Sequence, residues 1–195
     1  MSRTASIRWT TGETDVEARI DLDGAGVADA VTGIGFFDHM LVLLARHSLI
    51  DMSVSARGDL ETGSHHTVED TGITLGQALD TALGDRSGIE RYGSALVPMD
   101  EVLVQVAIDL SGRPFLSFDA NLPPMVIGGF ETDLVAEFFR GFSNAARMTL
   151  HVDVLKPGGP HHVIEGCFKA LARALRGAVA PNARVTGVPS SKGTL

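Results

Sequence analysis

Apolar and polar residues alternate along several short stretches of the chain, a pattern typical of half-buried β-strands. This alternation predicts a strand pair over 3–10 and 14–22, a strand over 51–57, and a second set over 93–99, 101–110, 113–119 and 148–155. Apolar residues at helical spacing predict four helices. These are about twelve residues after Gly35, then 67–83, about 131–146 with Glu and Asp in its first turn, and 161–179.

The same order of strands, helix, strand, loop and helix therefore occurs twice. A motif marks the repeat, because His65-His66-Thr67-Val68-Glu69 recurs as His161-His162-Val163-Ile164-Glu165. The two copies are 96 residues apart, from 65 to 161 and from 69 to 165. We therefore predict one α+β domain over 1–195, made of a duplicated unit (about 1–92 and 93–190) and a short C-terminal tail. Two sheets, each covered by helices on one face, would pack around one core with a pseudo-twofold relation.

Each doublet is predicted to open a helix, and this position gives its side chains a defined geometry. His65 and Glu69 are one helical turn apart on the same face, so both can bind one ion. His66 is rotated by about 100° from His65 and should point to a different place. Two such motifs would build two metal sites, or sites shared between subunits. Imidazole and carboxylate without thiolate favour manganese, iron, cobalt, nickel or zinc in a mixed shell. The positive end of the helix dipole should lower the proton affinity of these histidines.

One more candidate ligand lies on the first helix of each repeat. His39 precedes the first doublet by 26 residues, and Glu137 lies two residues from the corresponding place in the second half. Each could donate one ligand to a site on the other helix of its own repeat. The alternative for both is an ordinary side chain on a helix surface.

The remaining polar candidates are weaker on sequence alone. Glu13 lies in a turn between two strands, and Arg91 and Arg113 flank the second strand pair. Arginine is the usual bidentate partner of phosphate, although surface ion pairs are as common a use. The tail segment Ser190-Ser191-Lys192-Gly193 offers hydroxyls, a cation and flexible backbone, a combination able to bind phosphate. Cys167 is on the apolar side of the last helix and is expected to be a buried structural thiol.

Composition limits the classes of partner. The chain has 16 basic and 24 acidic residues, a net charge of −8 and a pI near 5.3. This balance argues against nucleic acids and anionic membranes as main partners. The single cysteine allows no internal disulfide, no stretch of about 18 apolar residues predicts a membrane span, and the first six residues lack a signal-peptide pattern. We therefore expect a cytoplasmic protein.

Taken together, these motifs resemble the imidazoleglycerol-phosphate dehydratase family of histidine biosynthesis, over nearly the whole chain. The resemblance is carried by six ordered motifs: Gly-Glu-Thr (12–14), Gly-Phe-Phe-Asp-His-Met-Leu (35–41), His-His-Thr-Val-Glu-Asp (65–70), Thr-Leu-His-Val (149–152), His-His-Val-Ile-Glu (161–165) and Pro-Ser-Ser-Lys-Gly (189–193). It implies a duplicated α+β unit with two four-stranded sheets and paired helices. It also implies assembly into trimers and a 24-subunit particle, with two manganese ions per active site at subunit contacts.

The resemblance also implies roles for individual residues. The positions that match metal ligands are His39, His65, His66, Glu69, His161, His162 and Glu165. One further ligand position, a histidine in the family, aligns with Glu137. The positions that match phosphate-binding residues are Arg91, Arg113, Ser190, Ser191 and Lys192. Glu13 matches the family's mobile acid/base glutamate and would also contact substrate, and Glu165 could contribute to catalysis besides binding metal.

The implied reaction is the loss of water from imidazole glycerol phosphate to give imidazole acetol phosphate, a hydro-lyase reaction. Two functions from other classes stay open from the residues alone. One is a dinuclear metallohydrolase acting on a phosphorylated small molecule, which would release phosphate or an amine. The other is a non-catalytic shell in which histidines and metal ions only join subunits. The shell would have no use for Arg91, Arg113 and Lys192.

Overall fold

The structure, a computed structural model, describes residues 2–195. Its first half contains β1 (Thr4–Thr10), β2 (Thr14–Asp21), β3 (Ala28–Val31), α1 (Gly35–Ser48), β4 (Asp51–Gly58) and α2 (His65–Leu83). Its second half contains β5 (Tyr92–Met99), β6 (Val102–Asp109), β7 (Phe115–Asp119), β8 (Val126–Ile127), β9 (Phe130–Glu131), α3 (Leu134–Ala145), β10 (Thr149–Lys156) and α4 (Pro160–Ala178). No helix in this described part is long and apolar enough to cross a bilayer.

The two halves have the same topology, which confirms the predicted duplicated α+β fold with two four-stranded sheets. The first sheet has the order β1-β2-β4-β3 and the second the order β5-β6-β10-β7. In each sheet the first three strands in this order pair antiparallel, and the fourth strand pairs in parallel with the third. Alternation along β2 and β6 turns one face of each sheet inward, and the helices cover that face.

The helices pair across the repeats. Helix α2 packs against α3, and α1 packs against α4, so one continuous apolar core joins both halves. The phenylalanines at its centre are fully buried and stack on one another, as Phe138 does on Phe168 with ring centroids 5.0 Å apart. We expected a candidate ligand on the first helix of a repeat to face the other helix of that repeat. The cross-pairing corrects this, because each first helix faces the doublet helix of the other repeat.

Several predicted elements differ from the structure. Strand β3 was not predicted, because it is four residues long and turns Ala28 and Ala30 inward while Val31 stays exposed. The short hairpin β8–β9 lies where a loop was expected, and α3 starts at Leu134 rather than near 131. Glu131 is therefore in β9, and Asp133 occupies the N-cap position, without a capping hydrogen bond from its side chain, instead of lying in the first turn.

Strand pairing gives the correspondence between the repeats residue by residue. The pair Thr4↔Asp21 matches Tyr92↔Asp109, an offset of 88 residues. The pair Asp21↔Asp51 matches Asp109↔Thr149, which makes the offset 98 for β4 and β10. Leu49, the C-cap of α1, and Arg147, which follows the C-cap of α3, keep this offset and share a left-handed backbone, with φ of 61° and 52°. The offset between the repeats therefore takes three values, which are 88 for the long hairpins, 98 for β4 and β10, and 96 for the doublets.

Contact between α2 and α3 depends on glycine. A Cβ atom on Gly72 would lie 2.7 Å from the Phe138 carbonyl oxygen, in the backbone of the facing helix. Substituting Gly72→Ala should therefore push the helices apart and cost about 1–3 kcal/mol of unfolding free energy, despite the higher helix propensity of alanine. Thermal unfolding at fixed protein concentration measures the loss. The matched control is Gly177→Ala in α4, where the nearest atom would be 3.7 Å away. A Gly72→Ala protein as stable as the control would contradict this account.

Candidate active site

Each doublet lies in the first turn of its helix. Helix α2 begins at His65, two residues earlier than predicted, and α4 begins with Pro160 at a position where a missing backbone N–H costs nothing. His65 Nε2 lies 3.4 Å from Glu69 Oε2, and His161 Nε2 lies 3.2 Å from Glu165 Oε2. The predicted one-turn pairing of histidine and glutamate is therefore present in both repeats with nearly equal geometry.

The second histidine of each doublet points away from the first. The ring planes of His65 and His66 are inclined to each other by 88°, and those of His161 and His162 by 87°. His66 Nδ1 lies 3.1 Å from Asp59 Oδ2, whereas His162 Nδ1 lies 2.9 Å from Glu101 Oε2. Adjacent histidines therefore face separate places, as the helical rotation predicts.

Carboxylates, rather than the helix dipole, set the proton affinity of these two rings. The hydrogen bond with Asp59 raises the pKa of His66, and the hydrogen bond with Glu101 raises the pKa of His162. The expected lowering of proton affinity is therefore wrong for both. Hydrogen bonds from the Gly159 backbone and from His162 lower the pKa of Glu101 to about 2.

Glu13 and Glu165 have contrasting surroundings. Glu13 is exposed in the β1–β2 turn, with its Oε2 3.7 Å from His66 Nε2. Glu165 is buried, and Lys169 Nζ lies 2.6 Å from its Oε1. Burial raises the pKa of Glu165, but the Lys169 ammonium outweighs this and leaves the pKa below its usual value. One carboxylate is free to move, and the other is fixed and ionised.

His39 and Glu137 occupy equivalent positions, since their numbers differ by the offset of 98 found for the strand that follows. His39 is exposed on α1, and the ring of Phe36 at the start of that helix touches His161 at a centroid distance of 5.0 Å. Glu137 on α3 forms an ion pair with Arg140. The pKa of Arg140 is raised mainly by Glu137 and to a smaller extent by Glu69 on α2. Each candidate therefore stands beside a doublet of the other repeat.

The five candidate phosphate-binding residues gather around the tail. Both Asp109 oxygens accept hydrogen bonds from Arg91, whose Nη1 also donates to the Pro189 carbonyl at 2.8 Å. This contact fixes the segment that carries Ser190, Ser191 and Lys192. A Cβ on Gly112 would lie 2.5 Å from the Leu195 carbonyl carbon, so the end of the tail reaches the loop of Arg113.

Within one chain, this tail group and the second doublet lie at opposite ends of the fold. His162 contacts Glu101 at the tip of the β5–β6 hairpin, whereas Arg91 precedes the start of β5 and its N–H donates to the Ala178 carbonyl at the end of α4. The seven steps from Tyr92 to Met99 along β5, at about 3.4 Å each, span about 24 Å. The sixteen steps from His162 to Ala178 along α4, at about 1.5 Å each, give the same distance of about 24 Å.

The donor set suits a divalent transition metal. Two ligands at about 2.1 Å from one ion in adjacent coordination positions are about 3 Å apart, close to the histidine–glutamate spacing in both repeats. Within residues 2–195, one group of three residues has possible ligand atoms that all lie within 4.8 Å of one another. Its members are Asp100, Glu101 and His162. Two further pairs of candidate ligands are His65 with Glu69 and His161 with Glu165.

Comparison with known proteins identifies the relatives of this chain. The family model described as imidazoleglycerol-phosphate dehydratase matches residues 32–175. The chain belongs to this family. It is 58% identical to the imidazoleglycerol-phosphate dehydratase of Rhodopseudomonas palustris strain TIE-1, over 99% of this chain and 98% of that protein. It is 53% identical to the enzyme of Desulforamulus reducens over the full length of both.

Solved structures of the family share the fold. The dehydratase of Staphylococcus aureus superposes with a TM-score of 0.83 at 40% identity, covering 92% of this chain and 99% of that one. The Pyrococcus furiosus enzyme, solved in complex with (S)-C348, superposes with a TM-score of 0.84 at 37% identity, covering 97% and 100%. The family resemblance drawn from the six motifs is thus confirmed.

Sequence reasoning missed the partners of the candidate residues. These are Asp59, Glu101, Arg140 and Lys169. A signal for Glu101 was present, because it precedes β6 as Glu13 precedes β2. The constant offset of 96 concealed it, since the hairpins correspond at an offset of 88. Lys169 and Arg140 follow their glutamates by four and three residues, a spacing that predicts contact on a helix.

Proposed function

We propose that this chain is an imidazoleglycerol-phosphate dehydratase that removes water from imidazole glycerol phosphate in the cytoplasm, as a step of histidine biosynthesis. The observation that carries the proposal is the pair of His-His-x-x-Glu motifs, each with a histidine and a glutamate about 3.3 Å apart at a helix start, in a chain of this family. Relatives that carry the name of this enzyme align with the chain over nearly their full length.

The residues of both doublets are proposed to hold two manganese ions per active site. The ligand set is His39, His65, His66, Glu69, Glu137, His161, His162 and Glu165. Bound to the ring nitrogens of the substrate, the ions would let the imidazole withdraw electrons from the neighbouring carbon, whose proton is otherwise not acidic. Glu137 offers an oxygen where the family has an imidazole, and manganese accepts either.

Glu13 is proposed as the acid/base residue that moves the substrate proton, with Glu165 as a second contributor. Support comes from its exposed position in a hairpin turn and from the 3.7 Å between its carboxylate and His66. A group that takes a proton from carbon and returns one to the leaving hydroxyl needs this freedom to move. Glu165 is buried and paired with Lys169, which suits a fixed ligand better than a mobile acid.

Phosphate binding is proposed for Arg91, Arg113, Ser190, Ser191 and Lys192. Because this group lies about 24 Å from the second doublet of its own chain, a substrate with three carbons between imidazole and phosphate cannot reach both. A neighbouring subunit would then supply the phosphate-binding end of a site built on the second doublet. This argument supports assembly of the chain into trimers and a 24-subunit particle, with metal ions at the contacts.

The first experiment is turnover of imidazole glycerol phosphate by purified manganese-loaded protein, against a chelated control. We expect metal-dependent formation of imidazole acetol phosphate. The absence of product from intact, metal-bound particles would contradict the proposed reaction. Release of inorganic phosphate in the same assay would instead indicate a metallohydrolase.

Substituting Glu13→Gln should lower turnover by at least about a hundredfold, because the amide cannot exchange a proton at this position. Metal content and particle size should stay at wild-type values, since the side chain is exposed and its carboxylate lies beyond hydrogen-bonding distance of His66, at 3.7 Å. The matched control is Glu17→Gln on the outer face of β2, where the carboxylate pairs with Arg19. Near-normal turnover of the Glu13→Gln enzyme would remove Glu13 from the mechanism.

Sharing of the site between subunits predicts that two inactive variants restore each other. His161→Ala removes a ligand at one end of the fold, and Lys192→Ala removes a cation at the other. After chelation, mixing and addition of manganese, the mixture should be more active than the sum of the separate proteins, because some sites combine two intact ends. The control mixture of Ser191→Ala and Lys192→Ala, on the same tail, should gain nothing. A first mixture as inactive as this control would place the whole site within one chain.

A further inference from the structure

The tips of the two long hairpins carry equivalent glutamates. At the offset of 88 that relates β1–β2 to β5–β6, Glu13 corresponds to Glu101. Both residues stand directly before an inward-facing strand position, and both approach the second histidine of a doublet. The duplication has therefore placed one glutamate beside His66 and another beside His162.

The two glutamates contact different ring nitrogens. Glu13 faces Nε2 of His66 at 3.7 Å. Glu101 lies against Nδ1 of His162 at 2.9 Å, and its other oxygen accepts the Gly159 backbone N–H at 2.8 Å. This second bond joins the hairpin tip to the N-terminus of α4, where a Cβ on Gly158 would lie 2.3 Å from the same oxygen. The Glu101 carboxylate is therefore held by the Gly159 N–H and by His162, whereas the equivalent carboxylate of Glu13 is exposed.

In the first repeat another carboxylate takes the place that Glu101 has in the second. Asp59, in the loop between β4 and α2, has both oxygens within 3.2 Å of His66 Nδ1. A threonine hydroxyl, that of Thr62, donates to the same Asp59 carboxylate at 2.9 Å and anchors it. Both repeats thus place an anchored carboxylate at Nδ1 of the second histidine, although the two carboxylates come from different loops.

We propose that Glu101 and Asp59 are positioning residues, which fix His162 and His66 in the tautomer that presents a free Nε2 lone pair to the metal. An ionised carboxylate can only accept a hydrogen bond, so the facing Nδ1 must carry the hydrogen. In a neutral imidazole this leaves Nε2 as the ligand atom, with its ring orientation fixed from behind. The inference rests on the proposed function, in which both histidines bind metal.

Substituting Glu101→Gln should reverse this arrangement. The amide oxygen is required by the Gly159 N–H, so the NH2 group would face His162 Nδ1 and favour a hydrogen on Nε2. We expect manganese affinity to fall by about 10–100-fold, with an unchanged number of ions bound at saturation. A titration of metal-free protein, in which the EPR signal of the free ion is followed, measures both quantities. The visible spectrum of the cobalt-loaded variant at saturation should match wild type, because the ligands are the same.

Two further variants make the test independent of folding at the α4 terminus. Asp59→Asn changes only the first repeat and a surface turn, and should weaken affinity to a similar extent. Asp100→Asn removes a charge 3.9 Å from His162 Nε2 without touching the Nδ1 hydrogen bond, and should have a much smaller effect. Thermal unfolding of the metal-free proteins identifies any variant that is not folded.

Three results would overturn the inference. Wild-type affinity in Glu101→Gln and Asp59→Asn would remove the positioning role. Loss of bound ions at saturation in Glu101→Gln would make Glu101 a ligand itself. An equal loss in Asp100→Asn would attribute the effect to charge alone. A wild-type protein that binds no manganese would instead contradict the proposed function, and the titration distinguishes that result from the other three.

Discussion

The site depends on one constraint, the geometry of the first turn of an α-helix. A residue and its neighbour four positions later share a face, whereas adjacent residues diverge by about 100°. In α2 and α4 this places one histidine beside a glutamate of its own helix and the next histidine beside a carboxylate of a different loop. Starting either helix one residue later would leave the first histidine without this geometry. The Pro160 start and the Glu101–Gly159 bond fix that position in α4.

Duplication supplied two copies of this arrangement, and the copies have since diverged at their supports. The doublet residues keep the same spacing in both repeats. The equivalent of His39 is Glu137, which pairs with Arg140, and the equivalent of the exposed Glu13 is the anchored Glu101. The spacing of histidine and glutamate was thus retained while the surrounding carboxylates took different partners.

The sequence was sufficient for the fold class and for the doublets, because both depend on local periodicity. It was insufficient where the chain departs from a constant repeat length. Between equivalent positions, the offset rises by ten residues from β6 to α3, where the β8–β9 hairpin is inserted, and falls by two from β10 to α4. These changes give offsets of 88, 98 and 96, and a single offset misses Glu101. The contacts of Asp59 with His66 and of Arg91 with Pro189 depend on loop conformation, which no spacing encodes.

The length of the secondary structure elements sets the distance between the second doublet and the tail group within one chain. The stretch of α4 from His162 to Ala178 and the strand β5 each span about 24 Å, and each has the second doublet at one end and the candidate phosphate-binding group at the other. Shorter elements would bring the two groups together, but they would also remove the apolar surface that α4 buries against β5, β6 and α1. A core of this size therefore separates the second doublet from the tail group within one chain. Under the proposed function, association of subunits would bring the two groups together without any change to the core, so that assembly would be a requirement of catalysis rather than an addition to it.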